Sequence, residues 1–168
     1  MTTRGDLLIG LVDFLDRRGV VYILLGRVSN FPAQVDSDVD LVISGFHPVD
    51  FSRLMLEFAG QAGLRCLQVM QHETSCSYVT LSAQNHRIFT FLHPDACGDY
   101  RRNGRLWLTE AEMLIGRRRS SNGFWVPADG TSLVYYLIKR LGKGVLASEH
   151  LAYIQGLYRS NPQECDTA

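Results

Sequence analysis

Leu7, Leu8, Leu11, Val12 and Leu15 recur three and four positions apart, so residues 4–18 read as an amphipathic helix closed by Gly19. VVYILLG (20–26) is short, β-branched and apolar, the pattern of a buried strand. The polar stretch RVSNFPAQVDS (27–37) contains Pro32 and reads as a loop, and DVDLVIS (38–44) as a second strand. HPVDFSRLMLEFAGQAG (47–63) places Phe51, Leu54, Met55 and Phe58 on one helical face, with Pro48 early and Gly60 and Gly63 late. LRCLQVM, SYVTLS and HRIFTFL supply three more short strands. DACGDYRRNGR (95–105) is rich in turn formers and reads as a connection. Thr109 and Glu112 fit a capping box opening the short helix TEAEMLIG. GFWVP (123–127) reads as a short strand or extended link. Asp129 or Thr131 is placed to cap a helix over SLVYYLIKRLGKG, and a last helix covers LASEHLAYIQGLYR.

This order predicts an α/β (α+β) fold: a mixed sheet of about five strands with flanking helices, and a small C-terminal helical lobe. The expected division is a core over 1–108, a lobe over 109–160 packed on it, and a tail over 161–168. The closing NPQECDTA carries no evident cap, as a piece of a longer protein would. There is no internal repeat.

Composition adds limits. The chain has 168 residues, 46% of them hydrophobic and 20% charged, which suits an ordinary packed core. No stretch approaches the roughly 18 uncharged apolar residues of a membrane span. The start MTTRGDLLIG lacks the apolar centre of a secretory signal. Four cysteines without a C-x-x-C pair fit neither a zinc site nor a disulfide scaffold, so a cytoplasmic protein with reduced thiols is expected. The formal net charge is zero, against a non-specific nucleic-acid binder. The balance is uneven, however: residues 1–100 are net acidic and residues 101–168 net basic. Such a split suits a metal–phosphate ligand, and equally suits internal charge matching.

Among the acidic-x-acidic pairs of the chain, Glu110/Glu112 lie in a helix first turn, where carboxylates favour the helix dipole, and Glu164/Asp166 lie in the expected tail. Asp38 and Asp40 instead open an apolar strand, and period two puts both on one face. Like charges side by side repel unless a cation separates them. Oxygen ligands point to Mg²⁺ or Mn²⁺ rather than zinc. The plain alternative is a solvated strand end.

The preceding residues sharpen this reading. VVYILLG ends at Gly26, a loop of about ten residues follows, and Asp-x-Asp opens the next strand. A glycine there allows close backbone approach to a phosphate. YILLGRVSNFPAQVDSDVDLVIS resembles the nucleotidyltransferase fold superfamily, the polymerase-β-like enzymes. The ordered blocks "SDVDLVI", "DACGDYRRNGR" and "YYLIKRLGKG" resemble bacterial nucleotidyltransferase-like proteins over about residues 5–160. The resemblance implies a third acid on a later strand. Asp95, just past HRIFTFL, is the first choice, with Thr90 and Asp99 as neighbours of that position. It also implies transfer of a nucleoside monophosphate from an NTP to a hydroxyl acceptor (sugar, small molecule, protein or RNA) by a two-metal mechanism. One departure stands out: the turn is Gly26-Arg27, without the serine that commonly follows the glycine. A catalytically silent nucleotide- or partner-binding module is the alternative.

Lys139 and Lys143 are the chain's only lysines and lie one helical turn apart. The resemblance assigns their helix to closing over the triphosphate, with Gly26 and Arg27 on the opposite side. Arg101, Arg102, Arg105 and Arg117–Arg119 are further phosphate-binding candidates, or a solvated surface. Tyr135, Tyr136, Phe124 and Trp125 are candidate base-stacking groups, or core. His93, Asp95 and Cys97 have a spacing that could ligate a metal, without a second ligand pair. No nucleophile elbow, P-loop or G-x-G-x-x-G occurs, which argues against hydrolases of that type, kinases and dehydrogenases.

Overall fold

The computed structural model describes residues 2–36 and 38–168; Met1 and Ser37, the last residue of the expected 27–37 loop, lie outside them. Helix α1 (Arg4–Arg17) starts in a capping box that the apolar pattern alone did not reveal. The Asp6 N–H donates to the Thr3 hydroxyl, and the Thr3 N–H donates back to the Asp6 carboxylate. Leu8, Leu11 and Leu15 of α1 are fully buried, at about 1.5–3 kcal/mol each. Strand β1 (Tyr22–Leu24) is shorter than the expected 20–26 and pairs antiparallel with β2 (Val39–Ile43). Helix α2 (Pro48–Ala62) has Pro in its first turn and ends at Gly63 in the left-handed conformation.

Strands β3 (Arg65–Glu73), β4 (Cys76–Asn85) and β5 (Ile88–Leu92) form an antiparallel meander. A further strand, β6 (Pro94–Cys97), follows one residue after β5. The turn formers of DACGDYRRNGR (95–105) predict a connection here. The strand lies instead within the sheet, parallel to β2 on one side and antiparallel to β4 on the other. Pro94 is tolerated because it occupies the first strand position. The main sheet thus has the order β1-β2-β6-β4-β3, with β5 also on β4. The rest of the supposed connection is a hairpin, β7 (Tyr100–Arg102) and β8 (Arg105–Leu108), turning at Asn103-Gly104 with both φ angles positive.

Helix α3 (Glu110–Leu114) has the expected Thr109/Glu112 capping box. Strands β9 (Arg118–Arg119) and β10 (Trp125–Val126) pair, and helices α4 (Asp129–Lys143) and α5 (Ser148–Ser160) follow. Neither Asp129 nor Thr131 caps α4: Ala128 stands at that position, and the Asp129 carboxylate is taken by Arg118. The 161–168 stretch, read as a tail, is helical as α6 (Pro162–Thr167), with the Asn161 side chain at its start.

Two apolar clusters hold these layers. The larger joins α1 and α2 to one sheet face through residues including Phe14, Leu41, Met55, Phe58 and Leu81. The smaller lies on the opposite face, where Tyr135 of α4 and Met113 of α3 meet Ile23, Leu25, Val42, Cys76 and Cys97. Alternation along β1 and β2 sends side chains to both covered faces, which explains why these strands are apolar except at Asp40. Helix α4 is thereby fixed beside the C-terminal halves of β2 and β6.

Candidate active site

A cavity of about 780 Å³ opens between α4 and the sheet. Asp38, Asp40 and Asp95 line it, together with Gly26, Arg27, Lys139 and Lys143, so all seven singled-out residues face one space. Asp40 and Asp95 are direct Cα partners on the parallel strands β2 and β6. Residues so paired present their side chains to the same face. Asp38 lies just before β2 and is exposed, whereas the apolar pattern predicts a strand over 38–44 that includes it. It still belongs to the same electrostatic group, because its charge acts on Asp95 and Tyr78.

Burial dominates the behaviour of Asp95, and the nearby Asp40 and Asp38 carboxylates add to it, while His72 and Lys139 oppose it. The net result raises Asp95 from the ordinary 3.8 to about 6. His72, at the end of β3, approaches Asp95 Oδ1 with Nε2 at 3.8 Å. Asp40 has a closer partner: Lys139 Nζ donates to Asp40 Oδ2 at 2.5 Å and to the Tyr135 hydroxyl at 3.0 Å. Lys139 of α4 therefore sits against the Asp-x-Asp segment. Lys143, one turn on, is exposed at the rim of the same cavity.

Gly26 has φ +85°, a conformation that L side chains rarely adopt, while a Cβ there would meet nothing within 4 Å. The glycine is thus required by the turn and leaves its backbone open to the cavity. Tyr153 of α5 donates to the Gly26 carbonyl at 3.1 Å and packs edge-on against Tyr136, tying the helical segment to this turn. Arg101, Arg102, Arg140, Tyr135 and Tyr136 also line the cavity. Arg105, Phe124, Trp125 and Arg117–Arg119 are not part of its lining.

The neighbours of the third-acid position are occupied elsewhere. The Asp99 carboxylate accepts from the Glu110 N–H and Arg101, and the Thr90 hydroxyl donates to the Thr2 carbonyl. His93 Nδ1 lies 3.4 Å from the Thr80 hydroxyl and stacks between Tyr78 and Phe91. His72 and Arg140 carried no separable signal in sequence, since each reaches the cavity only through tertiary placement.

The donor set suits a hard divalent cation: oxygen-only, anionic, and held beside a carboxylate whose ionisation the site disfavours. In the arrangement described, the ammonium of Lys139 takes the place of a cation at Asp40. Among the described residues, no group of three or more His, Cys, Asp or Glu is placed to hold one metal ion.

No protein-family model and no curated protein matches the chain. One solved structure of similar fold is a protein from H. pylori provisionally named a nucleotidyltransferase. It has a TM-score of 0.51 and 11% sequence identity, covering 80% of this chain and 56% of that one. This chain shares the fold of that protein over most of its own length. This chain spans little more than half the length of that relative. Among the described residues, no helix is long and apolar enough to cross a membrane.

Proposed function

We propose that the chain is a nucleotidyltransferase that moves a nucleoside monophosphate from an NTP to a hydroxyl acceptor. The observation that carries this reading is the pairing of Asp40 with Asp95 across β2 and β6, at a cavity that also receives Asp38, the Gly26 turn and the lysine face of α4. Asp38, Asp40 and Asp95 would hold Mg²⁺ or Mn²⁺. Bound there, the cation supplies neutralisation of phosphate charge and activation of the attacking hydroxyl.

The side chains do the rest. Lys139 would exchange Asp40 for a phosphate, helped by Lys143 and Arg27 from two sides of the cavity. The open backbone at Gly26 admits the phosphates closely. Asp95, with its raised proton affinity, is suited to take the hydroxyl proton near neutral pH. Tyr135 and Tyr136, read as base-stacking groups or core, are buried core residues and leave no free ring face for a base.

Two observations favour a silent binding module instead: Asp40 already has a cation in Lys139, and Arg27 follows Gly26 where a serine would contact phosphate. Melting curves separate the two. For a transferase, the midpoint rises with Mg²⁺ and an NTP together, and the rise disappears in Asp40→Asn. An NTP-dependent rise that needs neither the ion nor Asp40 supports the silent module.

A further inference from the structure

Two cysteines lie in the wall of the same cavity, and the proposed transfer uses neither. Cys76 on β4 and Cys97 on β6 are direct Cα partners on antiparallel strands. Their side chains therefore share a face of the sheet. Directly opposed residues of an antiparallel pair have Cα atoms about 4.5–5.5 Å apart, inside the range that a disulfide spans. Both thiols are nearly buried from bulk solvent, at 9% and 8% exposure, yet both line the cavity, which gives a small solute access. The other two cysteines have no such placement: Cys66 is on β3, with Leu81 as its register partner, and Cys165 is on α6.

We infer that Cys76 and Cys97 form a peroxide-reactive dithiol in the cavity wall, which closes to a reversible disulfide between β4 and β6. The substrate class is a small hydroperoxide. One thiolate attacks the distal peroxide oxygen, the O–O bond breaks, and an alkoxide or hydroxide leaves, giving a sulfenic acid. The second thiol attacks that sulfur, a water molecule leaves, and the S–S bond forms. The peroxide is reduced by two electrons, and the two thiols are oxidised by two. Closure removes the Cys97 thiol from the Leu41 carbonyl, which it contacts at 3.7 Å, and it acts on the strand that carries Asp95 two residues away. Oxidation therefore reports on, and alters, the carboxylate end of the cavity. The dithiol chemistry itself does not depend on nucleotide transfer.

The test uses the full chain carrying Cys66→Ser and Cys165→Ser, treated with hydrogen peroxide under native conditions. The expected product is a monomer lighter by about 2 Da, the mass of two hydrogens, restored by a thiol reductant. Peptide mapping should join the β4 and β6 peptides. Adding Cys97→Ser, or Cys97→Ala where serine impairs folding, should replace the bridge with a sulfenic acid trapped on Cys76 by dimedone. Oxygen addition on either cysteine without a bridge, a bridge between two chains, or no reaction while denatured protein reacts would each overturn the inference. Cavity function is read separately, as the Mg²⁺–NTP melting shift before and after oxidation. A bridge that forms while that shift is absent from both reduced and oxidised protein counts against the transferase reading and leaves the dithiol established.

Discussion

Asp95→Asn should make the protein more stable, and only above a definite pH. In the folded chain Asp95 titrates at about 6, against an ordinary value of 3.8, because burial and then the Asp40 and Asp38 charges disfavour its ionised form. Between those two values the native state holds a proton that the unfolded chain has released. Stability contributed by the neutral carboxyl is therefore full below the ordinary value and is lost as pH rises through about 6. At about 1.36 kcal/mol per tenfold change in proton affinity, the whole shift corresponds to about 3 kcal/mol. The side chain is 27% exposed, so solvent screening reduces the expected effect to about 1–2 kcal/mol. Asparagine keeps the shape and removes the charge. Urea unfolding of both proteins in a chelating buffer, from about pH 4 to about pH 8, should show midpoints that coincide at the acid end, diverge in favour of Asp95→Asn between about pH 4 and about pH 6, and stay apart above. Adding Mg²⁺ at the alkaline end should close the gap by stabilising the wild type alone. A difference that is independent of pH, or a wild type more stable than the variant at about pH 8, would refute the reasoning.

Other perturbations have definite expected outcomes. Lys139→Met leaves Asp40 half-buried without its partner and should cost about 1–3 kcal/mol in urea unfolding, between the values for exposed and fully buried pairs, with Mg²⁺ recovering part of the loss. Tyr153→Phe removes the hydrogen bond to the Gly26 carbonyl and should cost about 1 kcal/mol, while weakening NTP binding because the turn is no longer held. Thr109→Ala opens the capping box of α3 and should lower the unfolding free energy by about 1 kcal/mol without touching the cavity. Gly5→Ala would bring a Cβ to 2.2 Å from the Pro32 carbonyl oxygen, and thermal melting should show a loss of about 1–3 kcal/mol.

What could be read from the sequence follows from how local each signal is. The apolar faces of α1 and α2 repeat within one or two turns, so their existence and extent were visible. The Asp38-x-Asp40 pair was visible because strand alternation is also local, although the strand begins one residue later than the pattern indicated. Strand β6 was not visible. Pro94, Gly98 and Asp99 are turn formers, and the segment is extended because β2 and β4 flank it on both sides. The direct pairing of Asp95 with Asp40 depends on that long-range register. So does the contact of Lys139 with Asp40, made across 99 positions of chain. The β7–β8 hairpin had a local signal, Asn103-Gly104 between Tyr-Arg-Arg and Arg-Leu-Trp-Leu, outweighed by the surrounding charges.

The central claim is tested most directly by transfer from an NTP labelled at its α-phosphorus, with Mg²⁺ or Mn²⁺ and a panel of glycan, protein, RNA and small hydroxyl acceptors. Pyrophosphate and label are followed together. The account predicts pyrophosphate release matched by label on one acceptor class, dependent on the ion, lost in Asp40→Asn and in Asp95→Asn, and retained in folded Asp99→Asn, whose carboxylate serves α3 and Arg101. Release of orthophosphate in place of pyrophosphate, or pyrophosphate release unchanged by both carboxylate substitutions, would contradict it.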